Sequence, residues 1–281
     1  MDGGDGTDVL TIGAATAAFD LADEVSFSRV TSVETITAVE STGAFTADLE
    51  ASAYTAGIRL VDMSANSSDS TIIVADEITG GGLTLIGGSG ANSITGGSGA
   101  DTLRGGDGID AYVGGAGADT FVFESTALGN DNDTWAAGAF VNADDKLDFT
   151  DFLGSGFSIL GSTGLSTAIT AISGTADVDI TGKLVLIEEG AATADYDTVA
   201  EIFAAIDGPG DFASLSDGKA VIVRQVDGAG TNEADAQIFF IDTAADGAAG
   251  LSLNDISIVG TITDMTGAAT VTFTTDNFVT V

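Results

Sequence analysis

Cysteine and histidine are both absent from the 281 residues. Without cysteine there are no disulfides, no thiol nucleophile and no thiolate zinc site. Without histidine there is neither an H-E-x-x-H zinc helix nor a Ser-His-Asp triad. Proline occurs once, and 7 basic residues face 43 acidic ones, for a net charge of −36. A surface that negative repels nucleic acid and anionic lipid, so neither is expected as a partner. It also repels itself unless cations neutralise it. No apolar run approaches the ~20 residues of a membrane-spanning helix, and membrane insertion is not expected. The opening MDGGDGTDVL has neither the basic nor the apolar region of a cleavable signal peptide. Carboxylate-pair glycosidase chemistry survives these exclusions on composition. Its obvious doublet, Glu188–Glu189, reads as a strand end, because adjacent strand residues face opposite sides. A metal-dependent lyase would need a basic group beside its metal. Within the glycine-rich segment treated below only Arg104 is basic, and it sits at a variable position. No catalytic activity is expected.

What is present points to β-structure. Apolar residues make up 44% and glycines number 39, with Val, Ile and Thr abundant. A mean hydropathy of +0.33 supports a folded chain rather than an acidic disordered one. Such a chain takes up cations or lives in salt. The length suits roughly two domains.

Residues 12–86 read as short strands: TSVETITAV (Thr31–Val39), then GIRLVDM, STIIVAD and GLTLIGG, with polar turns such as SANSSDS between them. Their spacing fits an antiparallel sandwich or a parallel solenoid. The solenoid is preferred because the stretch leads directly into repeats. After Phe123, segments such as GKLVLIEEG, GKAVIVRQV, AQIFFIDTA and LNDISIVGTI read as strands. One helix interrupts them at DTVAEIFAAID, where Val199, Ile202, Phe203 and Ile206 share a face. Thr198 and Glu201 form its capping box, and the glycines 208 and 210 stop it. The single tryptophan, Trp135, follows Asp131, Asn132 and Asp133. D-x-D-x-W lacks the spacing and the terminal glutamate of an EF-hand, so a surface loop is expected there.

From Gly87 the sequence reads GGSGANSIT, GGSGADTLR, GGDGIDAYV and GGAGADTFV. Glycine pairs return every nine residues. An acid or amide holds the sixth place of each unit (Asn92, Asp101, Asp110, Asp119), and an apolar residue holds the eighth (Ile94, Leu103, Tyr112, Phe121). A flexible linker has no reason to keep that register. A further copy, GGDGTDVLT, occupies Gly3–Thr11; it fits either a chain cut from a longer repeat protein or a natural start. The pattern G-G-x-G-x-D-x-U-x is that of calcium-binding parallel β-rolls. Glycine turns leave carbonyls free of side chains, aspartate supplies charge, and calcium takes six to eight hard oxygens. Each unit makes a turn and a strand, and two make a coil, so turns on one edge lie eighteen residues apart.

These repeats resemble the RTX (repeats-in-toxin) family of type I secreted bacterial proteins. The resemblance implies Ca2+ as the cofactor and a ligand set. One site would use Gly97, Gly99 and Asp101 with Gly114, Ala116 and Asp119. Another would use Gly88, Gly90 and Asn92 with Gly105, Asp107 and Asp110, and would bind more weakly because Asn92 is neutral. Sites at the roll's ends would involve Gly106, Gly108 and Asp110. Asp5 and Asp8 of the isolated copy are further candidates. The C-terminal segment is similar to the terminal domain of type I secreted surface-layer and adhesin-like proteins, which implies an uncleaved C-terminal secretion signal.

The expected fold is therefore all-β: a parallel β-solenoid or β-roll with calcium-binding glycine-rich turns, followed by a β-rich domain with one short helix. Residues 1–86 would be solenoid-like, 87–123 the calcium roll, and 124–281 the C-terminal domain with the secretion signal. The expected role is a secreted calcium-binding structural protein that folds and self-assembles outside a bacterial cell, as a surface layer or filament. The alternative is the stalk and secretion module of a larger calcium-dependent adhesin. Expected partners are further copies of the chain and a cell-surface polysaccharide. The last strand, Thr270–Val281, either completes its own domain or pairs with a neighbour's sheet edge.

Overall fold

The computed structural model describes residues 1–13, 19–20, 27–38, 44–49, 51–67, 70–74, 78, 80–127, 129–136, 138–140, 144–160, 178–179, 181–189, 198–207, 213–214, 218–226, 236–243, 251–263, 273 and 275–280. From β1 to β13 the chain lays strands alternately on two sheets. The first sheet takes β1 (Val9–Ile12), β3 (Thr35–Ala38), β5 (Leu60–Asp62), β7 (Thr84–Ile86), β9 (Thr102–Arg104), β11 (Thr120–Val122) and β13 (Lys146–Asp148). The second takes β2 (Phe19–Asp20), β4 (Phe45–Leu49), β6 (Ser70–Val74), β8 (Ser93–Thr95), β10 (Ala111–Val113) and β12 (Asp133–Trp135). Every pairing among these strands is parallel. This is the parallel β-roll, and the expected solenoid strands before residue 87 are coils of it. Both sheets pass through residue 123 without a break.

The three-residue strands β5, β7, β8, β9, β10, β11 and β13 each point their middle, apolar residue inward, as a period of two requires. On the first sheet Leu10, Ile36, Val61, Leu85, Leu103, Phe121 and Leu147 stand in register, and Phe278 continues the row. On the second, Ile94, Tyr112, Trp135 and Ile262 do the same. The inward residues grow along the chain from aliphatic to aromatic. Trp135 stacks on Tyr112 with ring centroids 4.9 Å apart, and Phe121 meets Trp135 edge-on at 5.5 Å. The expectation of a surface loop around Trp135 is corrected: the ring is 1% exposed and lies in β12 at the centre of the core. The acids before Trp135 do not form a calcium loop at the surface; Trp135 holds the inward place of a strand that Asp133 opens.

Beyond β13 the second sheet runs on through β20 (Ile256–Ile262), β19 (Ala236–Asp242), β18 (Lys219–Val226), β16 (Lys183–Glu189) and β14 (Ser158–Leu160). β18, β19 and β20 pair antiparallel, and β20 returns parallel to β12. A two-stranded sheet joins β15 (Val178–Asp179) to β17 (Ala213–Ser214). On the first sheet β21 (Phe278–Val279) pairs with β13. The C-terminal segment thus adds the last rung to both sheets and covers the edge that the final coil would otherwise expose. The part of Thr270–Val281 within the described residues is used inside its own chain: Phe273 packs on Phe140 and Phe278. Val271 lies outside the described residues.

Among the described residues three short α-helices decorate the sheets: α1 (Ala51–Ala56), α2 (Thr150–Leu153) and α3 (Val199–Asp207). α3 starts at the expected capping box, with the Thr198 N–H donating to Glu201 Oε2 at 3.0 Å and the Glu201 N–H donating to Thr198 Oγ1 at 3.3 Å. Its Val199, Ile202 and Phe203 cover a second apolar layer of Val185, Ala220, Ile222, Phe239, Ile241 and Ile256. That sheet region is therefore buried on both faces. Glu188 and Glu189 end β16. Among the described residues no helix is long and apolar enough to cross a membrane.

Candidate metal centre

The four repeats make the shortest coils of the roll. Carboxylates on successive coils stand 18 residues apart within them, against 26 between Asp8 and Glu34 and 23 between Asp110 and Asp133. Stacked glycines permit this tightness. Gly115 has φ of +99°, and a Cβ there would overlap the Gly97 carbonyl one coil earlier. Gly106 stacks on the Gly88 carbonyl in the same way, with φ of +97°. Gly4 and Gly6 of the isolated copy adopt matching values of +95° and +119°, so that copy forms the same turn.

Gly115→Ala is expected to cost about 1–3 kcal/mol from left-handed strain, with steric displacement of the neighbouring turn in addition. Gly154 (φ +86°) has open space where its Cβ would lie. Gly154→Ala therefore carries the strain alone. Urea midpoints in saturating calcium should fall further for Gly115→Ala, and equal losses would mean that the stacked turns yield freely.

Above each turn the sixth-position side chain reaches back one coil. Asp101 Oδ1 accepts from Leu83 N at 2.7 Å, Asp119 Oδ1 from Asp101 N at 2.8 Å, and Asp110 Oδ1 from Asn92 N at 2.7 Å. The ladder continues outside the repeats. Asp133 Oδ1 accepts from Asp110 N at 2.8 Å, and Asp145 Oδ1 accepts from Asp119 N at 2.9 Å. At the other end Glu34 Oε2 accepts from Asp8 N at 2.8 Å. Reading by nines missed Glu34, Asp133 and Asp145, because longer turns separate them. The signal that marks them is the triplet of acid, spacer and inward apolar residue: Glu34-Thr35-Ile36, Asp133-Thr134-Trp135 and Asp145-Lys146-Leu147.

The structure brings together the two halves of each expected site. On the first edge, Asp101 and Asp119 are both buried. Asp101 Oδ2 accepts from Gly97 N at 2.8 Å, while Asp119 Oδ2 is buried and, among the described residues, has no hydrogen-bond partner. Gly97 O accepts from Ala116 N at 3.0 Å, so a backbone hydrogen bond ties one turn to the next on this edge. Gly99 packs against Gly81, and a Cβ on Gly96 would overlap Gly114 O.

On the second edge the amide of Asn92 fills the space between the halves. Its Nδ2 lies 3.2 Å from Gly88 O, 2.5 Å from Gly90 O, 3.1 Å from Gly105 O and 3.0 Å from Asp110 Oδ1. Those are four of the oxygens expected to surround calcium. Asp107, whose carbonyl was expected to join them, is exposed. Gly106 N donates to Glu124 Oε1 at 3.1 Å, and Gly108 stacks on Gly90. Asp5 is exposed, whereas Asp8 is half-buried with an Oδ2 that has no hydrogen-bond partner among the described residues.

Burial raises the proton affinity of these acids. Burial pushes Asp110 and Asp119 up to about 7, with Asp107 and Asp145 respectively adding repulsion. Burial raises Asp101 as well, against amide bonds from Leu83 and Gly97. Glu124 rises to about 8 through burial, opposed by Arg104 at 3.7 Å. Arg104, at the variable ninth place, also pairs with Asp151 at 2.5 Å. Among the described residues no three acidic side chains converge closely enough to hold an ion unaided. A bound cation must therefore draw on carbonyls as well, which is the hard, mixed oxygen set that calcium prefers. The orphaned Asp110 and Asp119 oxygens and the tight glycine cradles fit that ion.

Residues 86–121 match the model of the RTX calcium-binding nonapeptide repeat in four copies. This segment is a block of that repeat, and the repeat binds Ca2+. No curated protein and no solved structure matches the chain.

Proposed function

We propose that this is a secreted structural protein whose roll is completed by calcium and which assembles with its own copies outside the cell, as a surface layer or filament. One observation carries the reading. Carboxylates are stacked and buried along both edges of the roll in a chain of net charge −36, with too few basic residues to offset them. In scarce calcium the ladder repels itself. In the ~10⁻⁴–10⁻³ M range of extracellular modules, binding becomes folding free energy. The likeness of the C-terminal segment to those of secreted surface-layer proteins supports export through a C-terminal signal. The reading assigns the chain no reaction.

A second reading, the stalk and secretion module of a larger adhesin that meets a cell-surface polysaccharide, has its own support. The turn at Gly3–Asp8, beside the edge strand of the first sheet, shares the glycine geometry of the repeats.

Light scattering on the purified chain, from chelator to ~10 mM calcium, tests both readings. Growth to very large particles is expected. Compaction without growth would favour the adhesin module, and no response would overturn the calcium reading itself.

A further inference from the structure

The site expected at the roll's end from Gly106, Gly108 and Asp110 has no partner turn within the motif, yet the second edge of the roll runs on. Asp110 is 0% exposed, and its Oδ2 has no hydrogen-bond partner among the described residues. One coil on, at the end of a turn that carries no glycine pair, Asp133 takes the ladder position by accepting from Asp110 N at 2.8 Å. Glu124 opens that same turn. Its Oε1 accepts from Gly106 N at 3.1 Å, and its Oε2 is also buried without a hydrogen-bond partner. Gly129 packs against the Glu124 side chain, which leaves that carboxylate seated over the Gly106 turn.

We propose that Gly106 O, Gly108 O and Asp110, together with Glu124 and Asp133 from outside the motif, form an additional calcium site that joins the repeat block to the C-terminal part of the roll. Positive φ values at Gly106 and Gly108 turn their peptide units as in the next repeat, at Gly115 and Gly117. Glu124 supplies the charge that the missing glycine turn does not. Arg104, 3.7 Å from Glu124, is the only cation paired with it among the described residues. Because Trp135 lies on the same strand as Asp133, ordering of this site would fix the aromatic centre of the core.

The inference rests on calcium binding by the repeats, and its test separates the two. The full chain is titrated with calcium by calorimetry, and with terbium by emission sensitised through Trp135, for the native protein, Glu124→Gln and Arg104→Gln. The inference expects Glu124→Gln to lose one bound ion and most of the sensitised emission. It expects Arg104→Gln to keep both and to bind more tightly, since a competing cation is removed. If Glu124 serves only as the ion-pair partner of Arg104, the two variants will behave alike, and the inference fails. Native stoichiometry in Glu124→Gln also overturns it. No calcium uptake by the native chain would instead overturn the reading of the repeats. Far-ultraviolet circular dichroism in calcium confirms that each variant retains its strands.

Discussion

In chelator the protein should be more stable at pH 5 than at pH 8, and calcium should reverse that order. Asp110 and Asp119 are pushed up to about 7, Glu124 to about 8 and Asp133 to about 10, in each case chiefly by burial. An acid whose folded pKa is raised costs nothing below its unfolded value, where both states hold the proton. The cost grows as pH rises above that value and is complete once pH passes the folded pKa. For Asp110 and Asp119 the window therefore runs from about 4 to about 7. Each contributes a loss on the order of a few kcal/mol across it, a large share of the 5–15 kcal/mol that holds an ordinary domain together. Glu124 and Asp133 extend the trend above pH 7. Calcium binds only the ionised acids, so its stabilisation grows in the direction in which the metal-free fold fails.

Trp135 is the reporter for this experiment, since its ring is buried among Tyr112, Phe121 and Phe123. Urea unfolding followed by its emission at the two pH values, with and without calcium, gives four midpoints. Equal metal-free midpoints, or a higher one at pH 8, would show that the acids are solvated in the roll. The pH dependence also bears on the proposed export. A chain kept loose by its own charge in a calcium-poor, neutral compartment would close on meeting calcium outside.

The sequence carried some parts of this architecture more openly than others. The repeat block was legible because three constraints coincide every nine residues: glycine where turns stack, acid where the ladder runs, and an apolar residue where the core lies. The helix Val199–Asp207 was legible from local rules, since its cap and its apolar face lie within nine residues. The coils before residue 87 were only half legible, because a period-two strand does not name its partner. The return of β20 to β12, across well over a hundred residues, had no local mark. Asp133 was hidden by its turn: the acid keeps its place before an inward residue, but 23 residues rather than 18 separate it from Asp110. The role of Trp135 was lost with it, although the same triplet would have placed both.

Asn92→Asp should convert the turn pair that the Asn92 amide bridges into a calcium-dependent one. In the native protein the Asn92 amide lies among Gly88 O, Gly90 O, Gly105 O and Asp110 Oδ1, so it stands in for a cation. Aspartate would remove that donor and place a second carboxylate beside Asp110, inside a site where Asn92 is 3% exposed. Breaking a buried charged contact in this way costs about 3–5 kcal/mol when nothing replaces it. In chelator the variant should therefore lose most of its stability. In saturating calcium it should recover, and calorimetry should count an additional ion. Asp101→Asn makes the reciprocal change on the other edge: it installs the amide opposite Asp119 and should lessen the demand for calcium there. Unchanged metal-free stability and unchanged calcium uptake in Asn92→Asp would mean that the amide does not occupy the cation's place. The opposed results expected of the two variants separate two turn pairs: the Asn92 amide bridges one and keeps its coils in register, whereas the buried charge of Asp101 and Asp119 on the other calls for the ion.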